Sequence, residues 1–94
     1  GTISLFNEGS GCAIDLKWGG TTSGTNVWQY AGNGTAAQKW LPISNGNGTV
    51  TLRSASNSGI ALDICGGAAK SETNVQVYSR NGTAAQSFTF TAVQ

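Results

Sequence analysis

Two aspartates stand in matching company. Asp15 is followed by Tyr30 and Gln38, and Asp63 is followed at the same intervals by Tyr78 and Gln86. A carboxylate is an acceptor-only group that takes two O–H donors at once, and hydrogen bonds to an ionised acceptor are the stronger ones. A tyrosine ring offers a flat apolar platform with a polar rim. A glutamine amide both donates and accepts, so it can brace a carboxylate or bond the backbone across a turn. Plainer readings exist for each residue: an Asp that starts a turn before the glycines after it, a Tyr that packs with one edge exposed, a Gln that only ties the backbone.

Catalysis has little to work with here. The chain has no His, which removes a Ser-His-Asp relay and a histidine metal site. Its acids are Glu8, Asp15, Asp63 and Glu72. Glycoside hydrolysis needs two carboxylates about 5 to 9.5 Å apart, whereas Asp15 and Asp63 occupy equivalent places in separate segments and should point into separate pockets. The expectation is a protein with no enzymatic activity, no catalytic residue, no bound metal and no cofactor.

The elements that position these residues are written twice. "NGTAAQ" occurs at 33–38 and 81–86, "SGTNVWQYAGNGTAAQKW" (23–40) matches "SETNVQVYSRNGTAAQSF" (71–88), and "GCAIDL" (11–16) matches "GIALDI" (59–64). A repeat of this kind fixes the architecture before anything else is read. We divide the single domain, 1–94, into repeat one (1–40), a linker (41–47) and repeat two (48–94). Each repeat reads as four short strands, in repeat two at 49–54, 60–64, 74–78 and 86–91. In "IALDI", Ala61 and Asp63 face one way, while Ile60, Leu62 and Ile64 face the other, toward the core. In "NVQVY", Val75 and Val77 share one face, and Asn74, Gln76 and Tyr78 the opposite one. The intervening segments carry the Gly, Asn and Ser of turns.

Composition narrows the class. Ninety-four residues make one small domain, and five basic against four acidic residues leave a net charge of +1. The basic patch of a nucleic-acid binder is missing, and no apolar run approaches the roughly 20 residues of a membrane helix. The chain starts at "GTISL" without an initiator Met, which suggests a mature form or a piece of a longer protein. Asn33, Asn47 and Asn81 each begin Asn-Gly-Thr. Asn-Gly favours tight turns because both residues tolerate positive φ, and the same triplets are glycosylation acceptors in a secreted eukaryotic protein.

An Asp in a short strand, a glycine-rich loop, Thr-Asn-Val-x-x-Tyr, Asn-Gly-x-Ala-x-Gln and an aromatic two places later, twice at identical spacing, resembles the ricin B-type (Q-x-W) lectin repeat. The resemblance implies an all-β β-trefoil built from four-strand units, and it implies carbohydrate binding through one shallow pocket per repeat. Carried onto this sequence, Asp15 and Asp63 accept two vicinal sugar hydroxyls, Tyr30 and Tyr78 stack on the sugar, and Gln38 and Gln86 brace the aspartates. Trp40 and Phe88 are the aromatics of the motif and belong to the core. Galactose-type sugars are the first expectation, with oligosaccharides of plant polysaccharides such as xylan or arabinan second. The resemblance also implies an extracellular location, secreted or cell-surface.

Departures from the family pattern qualify this. Many family sites have Asn immediately before the motif Gln, where this chain has Ala37 and Ala85. A hydroxyl contact is then lost, or is taken over by Asn33 and Asn81. Trp28 stands where repeat two has Gln76, so either a polar contact is lost or a second stacking surface is gained. Trp18 stands where repeat two has Gly66, as a pocket wall or as a loop cover. The disulfide often found within a family repeat is absent, because Cys12 and Cys65 lie in different repeats. Strand alternation, with Cys12 opposite the Asp15 face and Cys65 on the Asp63 face, favours two separate thiols. The alanines also leave open a trefoil scaffold for protein interaction or inhibition with degenerate sugar sites. Finally, a trefoil needs three repeats and this chain supplies two. We therefore expect a homo-oligomer, or a separate third repeat, and Trp40 and Phe88 partly open to water without it.

Overall fold

The computed structural model describes residues 1–92, so the last two residues assigned to repeat two, 93 and 94, lie outside the described part. Six five-residue strands carry the fold: β1 (Cys12–Leu16), β2 (Val27–Ala31), β3 (Trp40–Ser44), β4 (Val50–Ser54), β5 (Ile60–Ile64) and β6 (Val75–Ser79). Single 3-10 turns at Lys17–Gly19, Ala36–Gln38, Cys65–Gly67 and Ala84–Gln86 punctuate them, and no α-helix occurs among the described residues. β1 and β2 form a hairpin, while β3, β4, β5 and β6 form an antiparallel sheet in that order.

The repeat is legible in the geometry. β5, β6 and the turns 65–67 and 84–86 sit 48 positions after β1, β2 and the turns 17–19 and 36–38. All three Asn-Gly-Thr triplets close the same local turn, in which the Asn Oδ1 accepts from the Thr N–H and Oγ–H. Such Asx turns hold the backbone without needing a distant partner.

Two boundaries move. The segment read as a linker, 41–47, is mostly strand: β3 runs to Ser44 and pairs with β4 from Trp40↔Ser54 to Ser44↔Val50. It is the fourth strand of the first unit, hairpinned to the first strand of the second. Conversely, the strand read at 86–91 is not formed. Gln86 ends a 3-10 turn, and Phe88 makes an isolated bridge to Val50. The first-strand segment of unit one likewise shows only bridges, Ile3↔Trp40 and Phe6↔Ala13. The reason is common to both. β3 and β4 become strands by pairing with each other, whereas their counterparts need a hairpin partner from a further unit, and no described residue supplies one.

The core gathers Leu16, Trp40, Leu52, Ile60, Leu62 and Val77, with Ile3, Leu5, Ile14, Val27, Val75 and Phe88 packed against it. Ile60 and Leu62 point inward as their alternation requires, whereas Ile64, at the strand end, is half-buried. Trp40 is fully buried, contrary to the expectation that it would meet water: β4 covers it, and Ile3 pairs with it from the other side. Phe88, on the unpaired side, is half-buried as expected. Phe6 and Phe90 are each 60% exposed.

The two units dock through a loop on a strand. Gly24 N–H donates to the Val77 carbonyl at 2.7 Å, and Val77 N–H donates to the Thr25 carbonyl at 2.9 Å. Asn74 Nδ2 reaches Asn26 Oδ1 at 2.6 Å, and Ser79 N–H reaches Ser23 Oγ at 2.9 Å. Gly24 sits at φ 92, in the left-handed region. Its counterpart in unit two is Glu72, which keeps the left-handed conformation at φ 69 despite its Cβ.

Candidate functional site

Each site is assembled on a hairpin and closed by the turn that follows it. In β1–β2, Asp15 lies directly across from Trp28, and Ala13 across from Tyr30. In β5–β6, Asp63 lies across from Gln76, and Ala61 across from Tyr78. Side chains alternate along a strand, so these groups share one face of each hairpin.

The aspartates are buried, each 5% exposed, so they need partners. Gln38 Nε2 donates to Asp15 Oδ2 at 2.9 Å and to the Ala31 carbonyl at 3.0 Å. Its Oε1 accepts from Asn33 N–H at 3.0 Å. Gln86 repeats the set with Asp63 Oδ2 at 2.9 Å, the Ser79 carbonyl at 2.9 Å and Asn81 N–H at 3.1 Å. Both glutamines are therefore braces and backbone ties at once. Their 3-10 turns, entered from the Asx turn, aim the amides inward.

The position across from each Asp supplies the other oxygen. Trp28 Nε1–H donates to Asp15 Oδ1 at 2.8 Å, and Gln76 Nε2–H donates to Asp63 Oδ1 at 3.2 Å. The Trp28-for-Gln76 exchange thus loses no polar contact to the carboxylate. It adds an aromatic surface, with the Trp28 and Tyr30 rings stacked at 5.8 Å between centroids and 20° between planes. Each carboxylate has about four acceptor positions. The protein uses two at each Asp, which leaves acceptor capacity on a residue that lines the cleft.

The first cleft encloses ≈ 420 Å³ and is lined by Asp15, Trp18, Gly19, Trp28, Tyr30, Asn33, Thr35, Ala36, Ala37 and Ser56. The second encloses ≈ 290 Å³ and is lined by Asp63, Gly66, Gly67, Gln76, Tyr78, Asn81, Thr83 and Ala85. Tyr30 and Tyr78 are 47% and 46% exposed, so they are rims rather than core. Asn33 and Asn81 line the clefts, but their Oδ1 atoms are taken by Thr35 and Thr83, so only the Nδ2 groups remain as donors. Trp18 lines the first cleft, is 80% exposed and meets Trp28 edge-on at 5.0 Å. It holds φ 54 and ψ 26 inside the turn 17–19, where its counterpart Gly66 holds φ 66 and ψ 8. For a residue with a Cβ that conformation costs about 1–2 kcal/mol.

Three contributors were not read from sequence. Thr35 and Thr83 stand in the repeated triplet, which by itself signals only a turn. Ser56 comes from the β4–β5 connection, so unit two walls the cleft of unit one; its counterpart for the second cleft would belong to a further unit. No periodicity marks it. Both cysteines are free thiols, as the separate-thiol reading expects. However, Cys65 lies beyond β5 in the turn 65–67, where strand alternation does not apply.

Comparison with known proteins places this geometry. A family model described as ricin-type β-trefoil lectin domain-like matches residues 1–78. The crystal structure of ThreeFoil, a designed 3-fold symmetric protein, superposes with a TM-score of 0.94 at 31% identity, covering 99% of this chain and 66% of that one. That of 1,3Gal43A, an exo-β-1,3-galactanase from Clostridium thermocellum, superposes with a TM-score of 0.93 at 25% identity, covering 99% of this chain and 20% of that one. A mosquitocidal holotoxin shares the fold at 21% identity, with a TM-score of 0.82 over 92% of this chain and 11% of its own. The chain thus spans about two thirds of the designed trefoil and a small part of the two larger proteins. No curated protein sequence matches it.

Proposed function

The chain belongs to the ricin-type β-trefoil lectin-like family, and from that premise we propose that it binds galactose-type sugars, or oligosaccharides of plant polysaccharides, through its two clefts and without catalysis. The observation that carries the reading is the anchored carboxylate. Asp15 and Asp63 are each held by two donors, each beside a half-exposed tyrosine ring. Vicinal hydroxyls suit the free acceptor positions, and the C–H face of a pyranose suits the ring. The similarity to part of an exo-β-1,3-galactanase supports a galactose-type ligand. The two aspartates line separate clefts, which disfavours a hydrolytic pair. An extracellular setting accords with this role.

Isothermal titration with galactose, lactose and xylo-oligosaccharides tests the proposal, with sugar release assayed on the same ligands. A single shallow site makes few bonds, so dissociation constants near millimolar are expected. Ala37 and Ala85 favour a second reading, a trefoil scaffold for protein interaction, and absence of binding to every sugar on a glycan array would select it.

We further propose that copies of the chain share units. Three chains carry six units, enough for two complete trefoils. The segments around Ile3 and Phe88, held only by isolated bridges, and the Glu72 loop, which has no strand to dock on among the described residues, are the surfaces such sharing would cover. A further repeat on an adjoining segment is the other way to close the barrel.

A further inference from the structure

We propose that Trp18 is a second stacking platform, so that the first cleft takes two linked sugar rings where the second takes one. This rests on the reading of both clefts as sugar sites. The backbone at Trp18 is left-handed, a conformation that unit two gives to Gly66. A bulky residue is an outlier in that conformation, and Trp18 is not held there by burial, since it is 80% exposed. Strain of this kind persists where the surroundings or the function require it. Trp18 is also positioned: its ring meets Trp28 edge-on at 5.0 Å and 66°, and Lys17 Nζ lies 5.5 Å from the centre of the same Trp28 ring.

The platform therefore extends the cleft beyond Asp15 and Tyr30 on the side where unit two has only Gly66 and Gly67. The first cleft is correspondingly larger, ≈ 420 Å³ against ≈ 290 Å³. A first ring bonded to Asp15 and resting on Tyr30 leaves Trp18 free for the C–H face of the ring linked to it. The ligand class is a disaccharide or longer glycan whose second pyranose presents such a face. The unequal clefts then divide the work, one selecting linked rings and one accepting a terminal ring.

The test isolates each cleft in the full chain. In the Asp63→Ala background, titration with galactose, lactose and β-1,3-galactobiose reads the first cleft. One of the disaccharides should bind about tenfold more tightly than galactose, a gain of the size one stacked ring supplies. Trp18→Gly in that background should bring the ratio to about one by weakening the disaccharide about tenfold more than it weakens galactose. Glycine suits the backbone there, so folding is retained, and the thermal midpoint checks it. The reciprocal Gly66→Trp, in the Asp15→Ala background, should raise the disaccharide preference of the second cleft: a Cβ at Gly66 meets nothing within 4 Å, and its left-handed backbone carries the same strain that Trp18 does. Tryptophan emission should shift to the blue with disaccharide and lose that shift in Trp18→Gly. A ratio unmoved by Trp18→Gly, or an equal loss for galactose and disaccharide, overturns the second platform and leaves the sugar sites standing. Failure of the unaltered chain to bind any of these sugars overturns both.

Discussion

Trp28 Nε1 lies 2.8 Å from Asp15 Oδ1, in the place that Gln76 Nε2 takes against Asp63 Oδ1 at 3.2 Å. Two unlike side chains thus hold the same oxygen of equivalent carboxylates. What the positions share is an N–H at the right reach, directly across a hairpin. What differs is the surface that comes with it, an aromatic sheet in one cleft and an amide in the other.

That relationship gives a paired test. Trp28→Gln should keep the brace on Asp15 and change galactose affinity less than about threefold. Trp28→Phe removes the donor and leaves a buried carboxylate with one partner fewer, at about 1–3 kcal/mol. Its affinity should fall at least tenfold and its thermal midpoint should drop. Equal behaviour of the two variants in titration and thermal unfolding would show that the hydrogen bond is idle.

The proposed sugar binding rests on the carboxylates. Asp63→Ala should abolish binding at the second cleft with the fold retained, because Gln86 Nε2 keeps its bond to the Ser79 carbonyl and its Oε1 keeps Asn81 N–H. The double variant Asp15→Ala, Asp63→Ala should show no sugar binding by titration. Undiminished binding in that protein would remove both clefts from consideration.

The braces carry stability as well. Gln38 is 2% exposed and joins Asp15, Ala31 and Asn33. Gln38→Ala strands these groups and should cost about 2–4 kcal/mol. At about 4–8 °C per kcal/mol for a domain of this size, the thermal midpoint should fall by at least about 8 °C. A plainer role, in which Gln38 only fills space, predicts a much smaller shift.

The proposal assigns the tyrosine ring a larger part than its hydroxyl. Tyr78→Ala should weaken sugar binding at least fivefold more than Tyr78→Phe, measured in the Asp15→Ala background, since stacking contributes on the order of 1 kcal/mol. Phe as damaging as Ala would make the hydroxyl the contact.

Assembly is tested by mass. Light scattering should find species larger than the 9.6 kDa chain, with three-chain particles the expected form. A monodisperse monomer that unfolds cooperatively would refute unit sharing. Glu72→Gly relieves a left-handed non-glycine residue and should stabilise the protein by about 0.5–1 kcal/mol in denaturant titration.

Much of this was written in the residues themselves, for a local reason. Asp15, Tyr30 and Gln38 recur as Asp63, Tyr78 and Gln86 because each set lies within one hairpin and the turn after it, and contacts this short in sequence leave a spacing that a repeat doubles and exposes. The turn chemistry of Asn-Gly-Thr is local in the same way. Other features are decided between units. Whether 41–44 is linker or strand depends on β4 lying beside it, and whether 86–91 is strand depends on a partner the described residues do not contain. A strand is half of a pairing, and a sequence names only its own half. Ser56 reaches the first cleft from the other unit with no repeat partner to announce it. The indole of Trp28 finds Asp15 because β1 and β2 align them, a register that the chain specifies but that only the folded hairpin turns into a distance.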